Sequence, residues 1–121
     1  MASKAEVIAF LKSNYKLEEM SPGMFSMLFE QENGRTQMLF AGVFDSFIRV
    51  DSPFGALASV DISSALDESP ILGLGAVGDY ITVRHLILTA DLDANEIFHS
   101  FGLVAEVADN LEAKFSQGDA F

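Results

Sequence analysis

One long amphipathic segment near the C-terminus constrains the fold more than any other part of the chain. Residues 91–115 place apolar side chains at alternating intervals of four and three, which is the spacing of one helical face. The side chains on this face are Ile97, Phe101, Val104, Ala108, Leu111 and Phe115. Asp93 is positioned to cap the helix, and Glu96 follows three residues later, as in a capping box. We therefore predict a helix that buries this face.

The apolar surface of this helix is wider than contact with one sheet requires. Further apolar side chains extend it to an arc of about 220°, at ~100° per residue. These side chains are Phe98, Leu103, Ala105 and Val107. We therefore expect the helix to meet a second apolar surface as well as a sheet.

Length and composition indicate one folded domain that spans residues 1–121. Half of the residues are hydrophobic, which excludes a disordered chain. The net charge is −11, from 18 acidic residues against seven Lys and Arg, so phosphate backbones and anionic membranes would be repelled. We expect neither nucleic acid nor membrane as a partner.

The chain contains no cysteine, which excludes disulfides and thiolate metal sites and is consistent with a reducing compartment. The first fifteen residues lack the apolar run of a signal peptide, and no stretch reaches the ~18 apolar residues of a membrane span. A cytoplasmic protein is the expectation.

The first half of the chain predicts one helix followed by three strands. Ser3 and Glu6 form a capping-box pattern ahead of a helix over residues 4–14. Strands are predicted over residues 24–30, 35–43 and 47–51. Asn33-Gly34 joins the first two, because both residues tolerate the positive φ of a tight hairpin.

The second half predicts a short connection, a second hairpin and the long helix. Residues 61–67 form either a short helix capped by Asp61 and ended before Pro70, or part of a strand over residues 57–62. Residues 71–77 and 80–88 form the hairpin, which turns at Gly78-Asp79. The predicted class is α+β, with an antiparallel sheet of about five strands and the order α-β-β-β-α-β-β-α.

The alternation of side chains along the strands divides the predicted sheet into two faces. The helices are expected to cover the first face, which carries Phe25, Met27, Phe29, Met38, Phe40, Ile48, Val50, Ile81, Val83 and Ile87. The second face carries Met24, Ser26, Leu28, Gln37, Leu39, Phe47, Arg49, Tyr80, Thr82, Arg84, Leu86 and Leu88. The second face is too apolar for free solvent, and such a surface usually marks an interaction site.

Residues 50–115 resemble the bacterial YbjN-like family, which has the type III secretion chaperone-like fold. The resemblance rests on VDSPFG, on GDYITVRHLILTADLDANE and on AEVADNLEAKF. It implies a small, non-enzymatic, often dimeric protein that binds other polypeptides.

Two short motifs suggest ligands that their surroundings do not support. Residues 73–78 spell G-x-G-x-x-G, but a strand-like run follows where a dinucleotide site needs a helix, so we interpret them as a glycine-rich strand and turn. Asp91, Asp93 and Asn95 open like a calcium loop, but Glu96 and Gly102 occupy the positions where that loop needs Gly and Glu. We interpret these acids as a helix N-terminus.

The two histidines do not form a metal site, because neither has a carboxylate at ligand spacing. His85 alternates with core residues and is predicted to be structural, and His99 lies on the polar side of the long helix. Arg84 is expected to pair with an acid across a dimer interface or with a carboxylate of a bound partner.

The sequence therefore predicts a non-enzymatic polypeptide-binding protein, chaperone-like or an adaptor, that acts as a homodimer without a cofactor or metal. Its candidate partner-binding residues are Met24, Leu28, Leu39, Phe47, Arg49, Tyr80, Arg84 and Leu86. The alternative is a small-molecule-binding sensory or regulatory domain with its ligand between the sheet and the long helix.

Overall fold

The computed structural model describes residues 3–68, 72–90 and 92–115, in which six antiparallel strands and three helices follow the order α-β-β-β-β-α-β-β-α. The helices are α1 (Lys4–Asn14), α2 (Ile62–Glu68) and α3 (Ala94–Phe115). The strands are β1 (Glu18–Ser21), β2 (Met24–Glu30), β3 (Thr36–Val43), β4 (Phe47–Ala56), β5 (Gly73–Val77) and β6 (Tyr80–Leu88). They form one sheet in the order β1-β2-β3-β4-β6-β5. The predicted α+β class is confirmed.

Both predicted helix starts are confirmed by their caps. The Ser3 backbone N–H donates to Glu6 Oε1, and the Glu6 N–H donates to Ser3 Oγ, each at 3.1 Å. The bond that the Ser3 N–H donates to the Glu6 carboxylate, together with the Ser3 side chain, lowers the pKa of this carboxyl below its usual value. At the start of α3, the Glu96 N–H donates to Asp93 Oδ1 at 2.7 Å. Among the described helices, none is long and apolar enough to cross a membrane.

The predicted stripe of α3 is buried against the sheet. Ile97, Phe101, Val104, Ala108 and Leu111 are all at most 3% exposed, and Phe115 is half-buried. Helix α1 lies on the same face of the sheet. The Tyr15 ring packs on Phe101 at 5.5 Å, and Phe101 in turn meets Phe29 at 6.5 Å.

The outer part of the apolar arc of α3 is only partly covered within the described chain. Phe98 is 46% exposed and Leu103 is 36% exposed, whereas Ala105 is buried. The short helix α2 contacts α3 but leaves these two side chains partly exposed.

The sheet has one strand that the sequence did not predict and one that is longer than predicted. All four residues of β1 are exposed, so no apolar alternation marks it, and its pairing with β2 alone defines it. Strand β4 continues past Asp51 to Ala56 with a bulge between Pro53 and Gly55. Pro53 fits because the pairing of β4 with β3 ends at Asp51, where a missing N–H donor no longer breaks that ladder.

The segment after β4 forms the predicted short helix, and the alternative of a strand over residues 57–62 was wrong. The Ser63 N–H donates to Asp61 Oδ1 at 3.2 Å, and α2 begins one residue after Asp61. The predicted end of this helix before Pro70 and the predicted strand start at Ile71 lie outside the described residues. Strand β6 has its predicted bounds, and the turn before it uses the positive φ of Gly78.

Strand β3 presents the opposite faces from those predicted. Gln37 and Leu39 are fully buried, and they lie opposite Phe29 and Met27 of the helix-covered face. The other face carries Met38 and Phe40, both half-buried. The remaining members predicted for the covered face are buried there: Phe25, Met27, Phe29, Ile48, Val50, Ile81, Val83 and Ile87.

The hairpin loop explains this error. Residues 38–40 are all apolar, so hydrophobicity alone does not fix which of them face the core. A five-residue loop fixes which residues of β3 face the core. In this loop the Gln31 N–H donates to the Arg35 carbonyl, which places Glu30 opposite Thr36. Only Gly34 in this loop has positive φ, while the Asn33 side chain accepts from the Arg35 N–H.

Candidate functional site

The face of the sheet opposite the helices, which we call the open face, is the candidate functional site. Seven of the eight predicted partner-binding residues lie on it, namely Met24, Leu28, Phe47, Arg49, Tyr80, Arg84 and Leu86. Leu39 does not, because it is 0% exposed beneath the helices, and its assignment to this face was wrong. The open face gains Met38 and Phe40 from the same strand.

The open face is strongly apolar and accessible. Leu28 is 64% exposed, Leu86 53% and Leu88 69%, and half-buried apolar side chains lie between them. Leu88 is opposite Phe47, and Leu86 is opposite Arg49, so side chains of neighbouring strands form a continuous surface.

The sheet curls towards this face. A small pocket of about 120 Å³ is lined by Met20, Met24, Phe40, Arg49 and Val77, among others. Met20 belongs to β1 and Val77 to β5, which are the two opposite edges of the sheet. Side chains from both edges can line one pocket only if the sheet bends around it, so the open face is concave.

A buried ion pair lies at the centre of this concave surface. Asp51 is 1% exposed although it is on the open face. The Arg84 Nε–H donates to both of its oxygens, at 3.1 and 2.9 Å, and Thr82 Oγ1 donates to Oδ2 at 2.6 Å. Arg84 therefore pairs with an acid of its own chain, rather than with the acid of a partner that the sequence suggested.

The glycine-rich motif supports this pair. A Cβ on Gly75 would lie 2.5 Å from Arg84 Cζ and Nε, so a side chain at this position would displace the guanidinium from its place above the strand. Arg84 Nη2 also donates to the Ala76 carbonyl at 3.2 Å. The motif is a strand and turn that lead into β6, as we interpreted it, and no helix follows.

Arg49 is the second cation beside Asp51, and it is held less tightly than Arg84. Its Nε lies 3.5 Å from Asp51 Oδ1, whereas Thr82 and Arg84 donate to this carboxylate over shorter distances of 2.6 to 3.1 Å. The Arg49 side chain is 30% exposed. The guanidinium lies 5.7 Å from the centre of the Phe44 ring, which stacks on Phe47. A planar donor group is therefore presented to solvent within an apolar surface.

A second concavity lies at the side of α3 that faces the β2–β3 hairpin. This cleft of about 560 Å³ runs between the β2–β3 hairpin and the helix. Its lining includes Phe29, Phe98, Leu103, Glu106 and Asp109. Arg35 joins the hairpin to the helix through two bonds to the Asp109 carboxylate, at 2.9 and 2.7 Å.

The remaining motifs have structural explanations. His85 is half-buried at the rim of the covered face, and His99 is exposed. Asp93 caps α3, and Glu96 and Gly102 lie within the helix, so this segment is not a calcium loop; Asp91 lies outside the described residues. In the described part of the chain, no group of three or more potential ligands could hold a metal ion.

Sequence reasoning identified Met24 and Arg49 but missed other residues that shape the pocket. Asp51 was predicted only as the end of a strand, and Met20 was assigned to no element. The spacing of Phe47, Arg49 and Asp51 was the available signal, since alternate residues of one strand share a face. No signal in the sequence indicated that Met20 and Val77 approach each other, because only the curl of the sheet brings them together.

A scan against protein-family models finds no match for this chain, and a search of curated proteins finds no significant match. The resemblance to the YbjN-like family therefore stays a prediction from the sequence, and the open face is the feature that bears on function.

Proposed function

We propose that this chain is a non-enzymatic polypeptide-binding protein, chaperone-like or an adaptor, that acts as a homodimer. The observation that carries the proposal is the concave, apolar open face, on which Leu28, Leu86 and Leu88 are each more than half exposed. Contiguous apolar surface of this kind is costly in water and usually marks an interface.

The composition of the open face favours a polypeptide partner. Met20, Met24 and Met38 are flexible, polarisable side chains that adapt to partners of different shape. The surface spans the four strands β2, β3, β4 and β6 and is accordingly broad, as protein interfaces are. Its one buried carboxylate, Asp51, is occupied by Arg84 and Thr82, so it serves as a structural acceptor rather than a free base.

Selection from a random peptide library displayed on phage tests this function. Immobilised protein should enrich peptides, and the affinity of each peptide is then measured by fluorescence polarisation. Leu86→Glu should abolish binding, because a carboxylate tolerates water but not a desolvated interface. Leu66→Glu is the matched control, since Leu66 is similarly exposed, at 57%, but lies on α2.

Two results would count against polypeptide binding at the open face. One is the absence of any enriched peptide with the wild-type protein. The other is an equal loss of binding in Leu66→Glu and Leu86→Glu. Circular dichroism of both variants shows whether each still folds.

The homodimer is tested separately. Large apolar side chains remain exposed on both the open face and the outer arc of α3, because one small domain has no further element to cover them. Sedimentation equilibrium should therefore give about twice the monomer mass of 13.1 kDa. A single species at the monomer mass throughout the micromolar range would refute the dimer and leave peptide binding to stand on its own test.

The cleft beside α3 favours small-molecule binding as a second candidate function. Its volume of about 560 Å³ falls within the range of ligand pockets, roughly 300–1,000 Å³. It lies between the β2–β3 hairpin and the side of α3, and Phe29 of the covered face forms part of its lining. Mass spectrometry of material released from the purified protein should recover one metabolite if this function is correct, and Leu103→Glu should prevent its recovery.

A further inference from the structure

We infer that the open face selects polypeptide segments in which a carboxylate lies beside an apolar side chain, with the carboxylate on Arg49 and the apolar group in the adjacent pocket. This inference rests on the proposed function and gives the partner its chemistry. The overall charge alone would predict the opposite preference, because a chain of net charge −11 attracts basic rather than acidic partners.

The pocket accommodates one aliphatic side chain. Its volume of about 120 Å³ corresponds to roughly four water molecules at ~30 Å³ each. Met20, Met24, Phe40 and Val77 supply apolar walls from four different strands. An apolar group that enters this pocket would displace water that has few polar partners, which favours binding.

Arg49 forms one wall of the same pocket and has unused capacity to bind an anion. The oxygens of Asp51 already accept from Arg84 at 2.9 Å and from Thr82 at 2.6 Å, whereas Arg49 Nε remains 3.5 Å away. One carboxylate thus faces two guanidinium groups, which leaves one positive charge in excess. A guanidinium fork binds a carboxylate through two parallel hydrogen bonds, and the Phe44 ring keeps this fork in place.

The charges in direct contact set the local potential. In the described part of the chain, Arg49 and Arg84 both pair with the single carboxylate of Asp51. Exposed charges farther away than about 8 Å are largely screened at physiological salt. The apolar walls of the pocket reduce screening at Arg49 itself, so the nearby charge decides which partners bind.

The peptide library distinguishes acidic from basic partners. Wild-type protein should enrich peptides with Asp or Glu next to Leu, Ile, Met or Phe. For an enriched peptide, Arg49→Gln should weaken binding by about tenfold or more, as expected for a lost charge-assisted pair, ~1.4 kcal/mol. Changing the peptide's Asp to Asn should weaken binding to wild-type protein equally, and should have little further effect on Arg49→Gln.

The Asp-to-Asn peptide tests the same contact without any change to the protein, so the inference stays testable if Arg49→Gln does not fold. Met20→Glu should also weaken binding, because it places a negative charge at the pocket. Enriched peptides that are basic, or that bind equally well with Asn, would overturn the inference while leaving polypeptide binding intact. The absence of any enriched peptide would overturn both.

Discussion

The packing of Arg84 over Gly75 predicts that a single methyl group added in β5 will destabilise the protein, although it is added on the open face of the sheet and not in the core. In Gly75→Ala the new Cβ would lie 2.5 Å from Arg84 Cζ and Nε, so the guanidinium must move. The guanidinium is held by bonds to Asp51 of 2.9 and 3.1 Å, so its displacement should lengthen or break them. The substitution therefore separates a buried carboxylate from its main partner.

The expected cost follows from these contacts. A hydrogen bond to a charged group contributes about 1.5–3 kcal/mol, and the bond to the Ala76 carbonyl adds about 1 kcal/mol. Thr82 and Arg49 remain beside Asp51 and reduce the penalty for leaving it buried. Replacing a strand glycine by alanine returns roughly 0.5–1 kcal/mol. The net loss should be about 2 kcal/mol, or roughly 8 °C in the midpoint of thermal unfolding.

Gly73→Ala is the matched control. Gly73 lies on the same strand, and the nearest atom to its added Cβ is the Arg84 carbonyl oxygen at an ordinary 3.6 Å. Neither glycine has positive φ, so backbone strain does not differ between the two substitutions. Thermal unfolding followed by circular dichroism should show Gly73→Ala unchanged or slightly stabilised.

A double-mutant cycle with Arg84→Met isolates the mechanism. If Gly75→Ala acts by displacing Arg84, then Arg84→Met should cost at least about 1 kcal/mol less in the Gly75→Ala background than in the wild type. Equal unfolding midpoints for Gly73→Ala and Gly75→Ala, or strictly additive costs in the cycle, would refute the assigned role of Gly75.

Three further predictions concern the covered face. Leu39→Glu should leave the protein unfolded in circular dichroism, because it buries an unpaired charge at a fully buried position, whereas Leu86→Glu at 53% exposure should remain folded. Phe101→Ala should lower the free energy of unfolding by roughly 3–5 kcal/mol in urea titrations, since Phe101 is 0% exposed. Burial raises the pKa of Tyr15 above 10.0, so its contribution to stability is present below the unfolded pKa and is lost as pH rises through the folded pKa. Tyr15→Phe should remove that component from the alkaline unfolding curve.

Specific outcomes would contradict each of these. A folded Leu39→Glu protein would restore Leu39 to the open face. An unchanged urea midpoint for Phe101→Ala would mean that α3 presents a different stripe to the sheet. Identical alkaline unfolding of wild type and Tyr15→Phe would show that the Tyr15 phenol is not protected by folding.

Local sequence patterns predicted the elements whose ends are marked by a capping residue or a glycine turn. The Ser3–Glu6 capping box, the Asp93 cap and the helical spacing around Phe101 each act within one or two turns, so they predicted α1 and α3 with nearly their observed bounds. The Gly78 turn located β6 for the same reason. The apolar alternation of β2, β4 and β6 also placed seven partner-binding candidates on one face.

Tertiary structure decided what local pattern leaves undetermined. The phase of β3 depends on the bonding of a five-residue loop, because its apolar run allows Leu39 or Phe40 to face the core. β1 exists only through its pairing with β2, since its own residues are all exposed. The pocket beside Arg49 depends on the curl that brings Met20 and Val77 together from opposite edges of the sheet. Curl is a collective property of the strands, and residues far apart in sequence become neighbours only when the whole sheet has formed.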